Sequence, residues 1–296
     1  MNFIPIVLGL VLTLSYGTSD FLSKGVTTQI GPYRTTIYIL VVSGIGALIP
    51  GLFIGSSFAV SPFLALVLVV VAVTSFLAFA FIYRAYDRGM LSLTAPIVNS
   101  YPALSVVFSV LFLGVVFSAG VIISLIVVMI GSVLVSTNLS DLRKMLSSRR
   151  RILSPGVGSA FLAALSFAVC WTAFGFATEK LGYLLPAIAI RGAAALVGLA
   201  AAPLLGEKVR PVPGTWLRGL LAMSLLELIG VIVFNLGVTL SGSAGSIPIL
   251  TVFGAMGSAI TVVLAVAFLR ERLELNHLIG IVLLIAGVVA LLYLTS

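Results

Sequence analysis

Two ionisable residues fall where a charge is expensive. Glu227 lies about eight residues into the apolar run 219–240, and Arg191 lies inside the run 184–205. A charged side chain at the centre of a bilayer costs roughly 2.5–3.5 kcal/mol even on insertion scales, so each needs a partner or a task. At 1.5 Å per residue, Glu227 is about 12 Å deep and Arg191 about 10 Å deep from the opposite face. Their long side chains can therefore meet near mid-membrane. One reading is a structural ion pair. The other makes Glu227 a proton carrier or the counter-charge of a cationic substrate. Asp20 is the second carboxylate within an apolar run, and Lys24 follows it by one helical turn on the same face. A local salt bridge is the plainer reading of Asp20, and a substrate ligand the sharper one.

Tyr16, Thr18, Ser19, Asn99, Tyr101, Trp171, Thr172, Asn235 and Ser258 form the polar and aromatic set expected to face an internal cavity. The alternative for any one of them is an interhelical hydrogen bond, which small polar residues in membrane helices often supply. Trp171 and Tyr16 are the stronger candidates. Both lie inside their apolar runs instead of at the interfacial belts where such rings usually sit, and they are placed to flank an apolar or aromatic solute. The expected substrate-binding set is thus Glu227, Arg191, Trp171, Tyr16, Asn99, Tyr101, Asn235 and Asp20.

Other chemistries have little to build on. The single cysteine, Cys170, and the single histidine, His277, give no disulfide and no metal cluster. No G-x-x-x-x-G-K-[ST] loop is present to drive transport by nucleotide hydrolysis. No cofactor is expected, and no nucleophile–base pair for an intramembrane enzyme can be placed.

The elements that must position these residues follow from composition. Of 296 residues, 61% are hydrophobic and 8% charged, well below the roughly one quarter charged in a soluble domain. A bilayer core about 30 Å thick takes about 20 apolar residues per helix. On that ruler, spans fall near 4–24, 33–54, 61–83, 91–113, 117–137, 156–178, 184–205, 219–240, 243–269 and 278–295. The runs are continuous and lack the ten-residue alternation of a barrel strand, so they are read as helices. The first begins almost at once, without a basic stretch and cleavage site, and is expected to be retained. Pro96, Pro102 and Pro248 fall inside spans as hinges or packing kinks. Gly254 and Gly257, about one turn apart, would expose a smooth helix face.

The net charge of +8 is spread over short connections, with no basic domain to hold a nucleic acid. The odd-numbered connections hold 14 of the 16 basic residues, which places those connections in the cytoplasm and both termini outside the cell membrane. The longest connection, 138–155, carries Arg143, Lys144, Arg149, Arg150 and Arg151 and divides the chain into 1–137 and 156–296.

The halves are weakly alike. YGTSDFLSKG (16–25) matches WTAFGFATEK (171–180) in the order of its aromatic, small and charged residues, and Arg34 and Arg191 follow at similar distances. GMLSLTAPIVNSYP (89–102) and GSAGSIPILTVFGAMGS (242–258) each enter a helix with small residues and proline, and FLGVVFSAG (112–120) stands where FLRERLELN (268–276) stands. An odd number of spans per copy turns the second copy upside down, which puts a substrate site near the midplane between the halves.

These motifs resemble the drug/metabolite transporter superfamily, and more narrowly its EamA-type ten-helix branch. The resemblance covers essentially the whole chain. It implies an all-α membrane protein of ten transmembrane helices in two inverted five-helix repeats around a central cavity. It also implies export or exchange of amino acids, metabolites or drugs. One departure is Phe-Leu-Gly-Val-Val (112–116), where the family often keeps a Gly-Glu-Arg ending. The expected function is a secondary transporter working by alternating access, with a small-molecule substrate, the bilayer as its solvent and protons as a candidate coupling ion. The alternative is a flippase for a lipid or lipid-linked sugar.

Overall fold

A computed structural model describes residues 4–51, 60–88, 91–137, 139–140, 156–241, 246–270 and 274–295. Among these residues the regular structure is entirely helical. The order is α1 (Ile4–Ile30), α2 (Pro32–Gly51), α3 (Pro62–Arg88), α4 (Leu91–Val98), α5 (Tyr101–Leu113), α6 (Ala119–Ser136) and α7 (Val157–Leu181). There follow α8 (Leu184–Ile188), a turn of π-helix (Ala189–Ala193), α9 (Ala194–Ala201), α10 (Gly214–Ser241), α11 (Ser246–Ala255), α12 (Gly257–Leu269) and α13 (Leu275–Thr295). Eight stretches are long and apolar enough to cross a membrane, and Leu275–Leu291 is a shorter apolar one. Exposed rows such as Phe63, Leu66 and Val69 on α3, or Val282, Ile285 and Val289 on α13, are apolar faces suited to lipid.

Local chemistry sets the element ends. Gly31, at φ +88°, closes α1 in the left-handed region, and Pro32 opens α2 with a φ already fixed for a helix. The Ser118 hydroxyl accepts from the Val121 N–H to cap α6, and Gly182 at φ +73° ends α7.

Three runs expected to be continuous are interrupted. The run 91–113 breaks at Asn99 and Ser100, because Pro102 has no N–H to give the Val98 carbonyl and its ring crowds that carbonyl. The chain instead makes tight bonds from Ser100 N to Ile97 O and from Ala103 N to Ser100 O. The run 243–269 breaks at Met256, beside Gly257, where α1 presses its own Gly17 into the gap. A Cβ on Gly257 would lie 2.8 Å from the Gly17 nitrogen. The run 184–205 widens into the π turn at Arg191, where α2 comes close enough that a Cβ on Gly44 would lie 2.9 Å from the Gly192 Cα. Of the expected kink residues, Pro96 lies inside α4, and the Pro248 side chain is outside the described residues.

Packing across residues 138–155 is reciprocal. Helix α1 lies along α10 and crosses α11–α12, while α7 lies along α3 and crosses α4–α5. Helix α2 meets the π turn, and α6 pairs with α13. The α6–α13 seam is glycine-lined, with a Cβ on Gly131 placed 2.8 Å from the Gly280 carbonyl oxygen.

The ends of this seam carry polar fastenings. Glu274 accepts from the N–H groups of Leu139 (2.8 Å) and Ser140 (3.1 Å), while Asn276 and His277 donate to the Thr137 carbonyl. His277 Nδ1 also takes the Glu274 N–H, leaving Nε2 to carry the proton toward Thr137. Burial pushes the Glu274 carboxyl up, but the Ser140 and Leu139 hydrogen bonds and the nearby His277 outweigh it and hold the carboxyl below its ordinary value. Most of the basic connection 138–155 lies outside the described residues.

Candidate functional site

The π turn delivers Arg191 inward. The residue is 1% exposed and its Nη2 donates to Glu227 Oε2 at 2.6 Å, while Glu227 on α10 is itself 6% exposed. The guanidinium carbon also sits 5.1 Å from the centre of the Phe79 ring on α3. A buried pair of this kind is costly to break, about 3–5 kcal/mol on removing one partner, because the other charge is left without compensation. The extra residue in the π turn re-aims one side chain without ending the helix.

Glu227 opens onto a cavity of about 70 Å³. Tyr16 and Asp20 line it from α1, Phe79, Ile82 and Tyr83 from α3, and Phe167 and Trp171 from α7. The two helix breaks close it, one with Val98, Asn99 and Tyr101, the other with Gly254, Ala255 and Ser258. An interrupted helix leaves polar backbone and side-chain groups at membrane depth, which is tolerated where they face a cavity. Asp20 is exposed, so the cavity reaches the surface on its side.

At the other end the space is filled by rings. Trp171 meets Tyr16 edge-on with centroids 5.8 Å apart, and packs on Phe174 (5.5 Å) and Phe234 (4.7 Å). Tyr16 wedges against Gly230 and Gly254, and its hydroxyl is buried with no hydrogen-bond partner among the described residues.

Most of the expected residues converge here. Glu227, Trp171, Tyr16, Asn99, Tyr101 and Asp20 line the cavity, with Ser258, and Arg191 joins through Glu227. Asn235 does not. Its Oδ1 accepts from Thr178 at 2.7 Å and its Nδ2 donates to the Tyr183 carbonyl at 2.6 Å, so it ties α10 to α7 beyond the aromatic cluster. Thr172 is taken up by Ser105 at 3.0 Å, Ser19 donates to the Met223 carbonyl at 3.3 Å, and Thr18 does not reach the cavity. The Lys24 side chain is outside the described residues, and with it the Asp20–Lys24 pairing. Phe79, Tyr83 and Phe167 were not expected at the site. The only signal for the first two is their spacing of four within a long apolar run, which is equally that of ordinary packing.

A model of the EamA-like transporter family matches residues 3–137 and again 154–293. The chain belongs to the EamA-like transporter family. The two matches give it two copies of the family's unit. It is therefore a multi-pass membrane protein of a family that transports small molecules, within the drug/metabolite transporter superfamily named by its motifs. A solved structure described only as "Crystal structure of protein" has the same fold, with a TM-score of 0.76 over 98% of this chain and 97% of its own, at 18% identity. No curated protein is similar enough in sequence to match.

Proposed function

We propose that the chain is a secondary transporter of small metabolites, amino acids or drugs, with ten helices in two inverted five-helix repeats that rock around the cavity. The repeats are 1–137 and 156–296, joined by the basic linker 138–155. Counting α1 and α13, and taking each interrupted helix as one crossing, gives ten. The reciprocal packing is what an upside-down second copy produces, since exchanging the halves maps α1 on α10 onto α7 on α3. The observation that carries the reading is a buried ion pair beside a cavity, lined by rings and carboxylates, held between the two halves.

Two pairs of odd connections are in contact. Arg34 donates to the carbonyls of Arg210 (2.9 Å) and Pro211 (2.6 Å), joining the first connection to the seventh, and Glu274 joins the ninth to the start of the linker. Their basic residues assign that side to the cytoplasm and both termini to the outside of the cell membrane. The Asp20 end of the cavity faces the same side, so the conformation is open inward and sealed outward by Trp171, Phe174 and Phe234. The carboxylates at the cavity favour a water-soluble solute over a lipid-linked one.

The test is flux in proteoliposomes of the full chain, screening amino acids, nucleosides and amines. Flux of a solute that disappears in Glu227→Gln supports the carrier. Flux and pH dependence unchanged in that variant exclude Glu227 as a proton carrier. A reporter fused to the C-terminus is expected to be inactive in the cytoplasm, and cytoplasmic activity reverses the orientation.

A further inference from the structure

We propose that the cavity selects a protonated amine carried on an aromatic or apolar body, with Asp20 as its counter-charge. This rests on the carrier reading and names its substrate class. Three charged groups meet at the cavity: Glu227, Arg191 and Asp20. The 2.6 Å contact cancels the first two, which leaves one negative charge among the described groups of the cavity, on Asp20. Among the described residues no cation pairs with the Asp20 carboxylate, although it is exposed at the mouth of the cavity. Glu227, the deeper carboxylate and the stronger candidate from sequence, is committed to Arg191. The exchangeable charge is therefore the shallower one.

Two further observations point to the same ligand. The rings of Tyr16, Tyr83, Tyr101, Phe167 and Trp171 line the same space, and aromatic faces attract cations most strongly where water is excluded. The protein already holds one cation in this manner, since Arg191 lies between the Glu227 carboxylate and the face of Phe79. The buried Tyr16 hydroxyl, without a partner among the described residues, offers an oxygen to accept an ammonium N–H. A carboxylate on the solute would meet Asp20 with like charge and find no free cation among the described residues lining the cavity, because Arg191 is held behind Glu227.

The test is binding to the purified full chain in detergent, read by tryptophan fluorescence and calorimetry, with phenethylamine, phenylalanine and phenylacetate as probes. Phenethylamine is expected to bind at least ten-fold more tightly than either carboxylate. Asp20→Asn is expected to lower that affinity ten-fold or more, Asp20→Glu to restore most of it, and Tyr16→Phe to lower it a few-fold. Lys24→Met is expected to leave it intact. Each variant is first checked for an unchanged elution profile, and the Asp20→Glu rescue separates a local effect from misfolding. Equal or tighter binding of phenylalanine or phenylacetate, or undiminished phenethylamine binding in Asp20→Asn, overturns the proposal. Flux of another solute without amine selectivity sinks this inference alone, whereas no flux of any solute sinks the carrier as well.

Discussion

In α4–α5 the interruption falls at Asn99 and Ser100, and in α11–α12 it falls at Met256. The first is made by proline and turns a polar side chain, Asn99, toward the cavity. The second sits beside Gly257 and lets α1 approach backbone to backbone, with Thr261 donating to the Gly17 carbonyl at 2.9 Å. Both helices then end alike. Gly114 (φ 65°, ψ 21°) returns its N–H to Ser109 O, and Arg270 (φ 55°, ψ 32°) returns its N–H to Ala265 O. The Phe-Leu-Gly departure from the family ending is thus a glycine placed where a left-handed residue is required, so the first copy keeps the cap and loses only the charge. Backbone geometry has been retained in both copies while side-chain chemistry has been divided between them. One break turns a polar side chain to the cavity, and the other supplies a close crossing.

The largest test of that division is Gly257→Val. Its Cβ would sit 2.8 Å from a backbone nitrogen that no rotamer change can move. The variant is expected to lose more than about 3 kcal/mol, visible as a collapse of monodisperse protein on gel filtration. Survival with an unchanged melting temperature would mean that the crossing is not tight. Next, Asn99→Ala is expected to cut flux about ten-fold at little cost in melting temperature, the worth of one hydrogen bond to solute at about 1.4 kcal/mol. Ser258→Ala is expected to change flux less than three-fold, because its hydroxyl is already given to Ala255 O at 3.0 Å. Equal losses in the two variants would erase the distinction between the breaks.

The shared cap predicts opposite signs. Arg270→Gly is expected to stabilise by about 0.5–1 kcal/mol and Gly114→Ala to destabilise by about 1 kcal/mol, both read by thermal denaturation. The return turns differ more gently. Ser118 caps the first, while Glu274 and His277 fasten the second. Glu274 has a lowered folded-state pKa, so its contribution is complete above the ordinary carboxylate value and is lost as pH falls through the lower folded value. The melting-temperature gap between wild type and Glu274→Gln is therefore expected at pH 7 and to close in acid. A gap that persists at pH 2 would mean that the charge is not what fastens the turn.

How much of this is legible in sequence depends on how rare a residue is in its surroundings. Arg191 and Glu227 are rare at depth, so their depths alone bring them together. Tyr16 and Trp171 are large rings away from the interface, and they do meet at the closed end of the cavity. Asn235 has the same polarity as Asn99 but is consumed by Thr178 and Tyr183, and no feature of one chain's residue types separates a satisfied amide from a waiting one. Phe79 and Tyr83 vanish into a run of apolar neighbours. The interruption at Asn99 follows from Pro102. The one at Met256 depends on a glycine of α1 some 240 residues away, which no local rule supplies.

The crossing of Gly17 over Gly257 also bears on how the halves can move. In the proposed rocking, this backbone contact, tied by the Thr261 hydroxyl to the Gly17 carbonyl, would be the fulcrum, the place where relative displacement is least. Ten residues along either helix lie about 15 Å from it, where a rotation of about 15° becomes a sweep of about 4 Å. Under that proposal a small pivot at the glycines would be geared up into an opening wide enough to pass a ring.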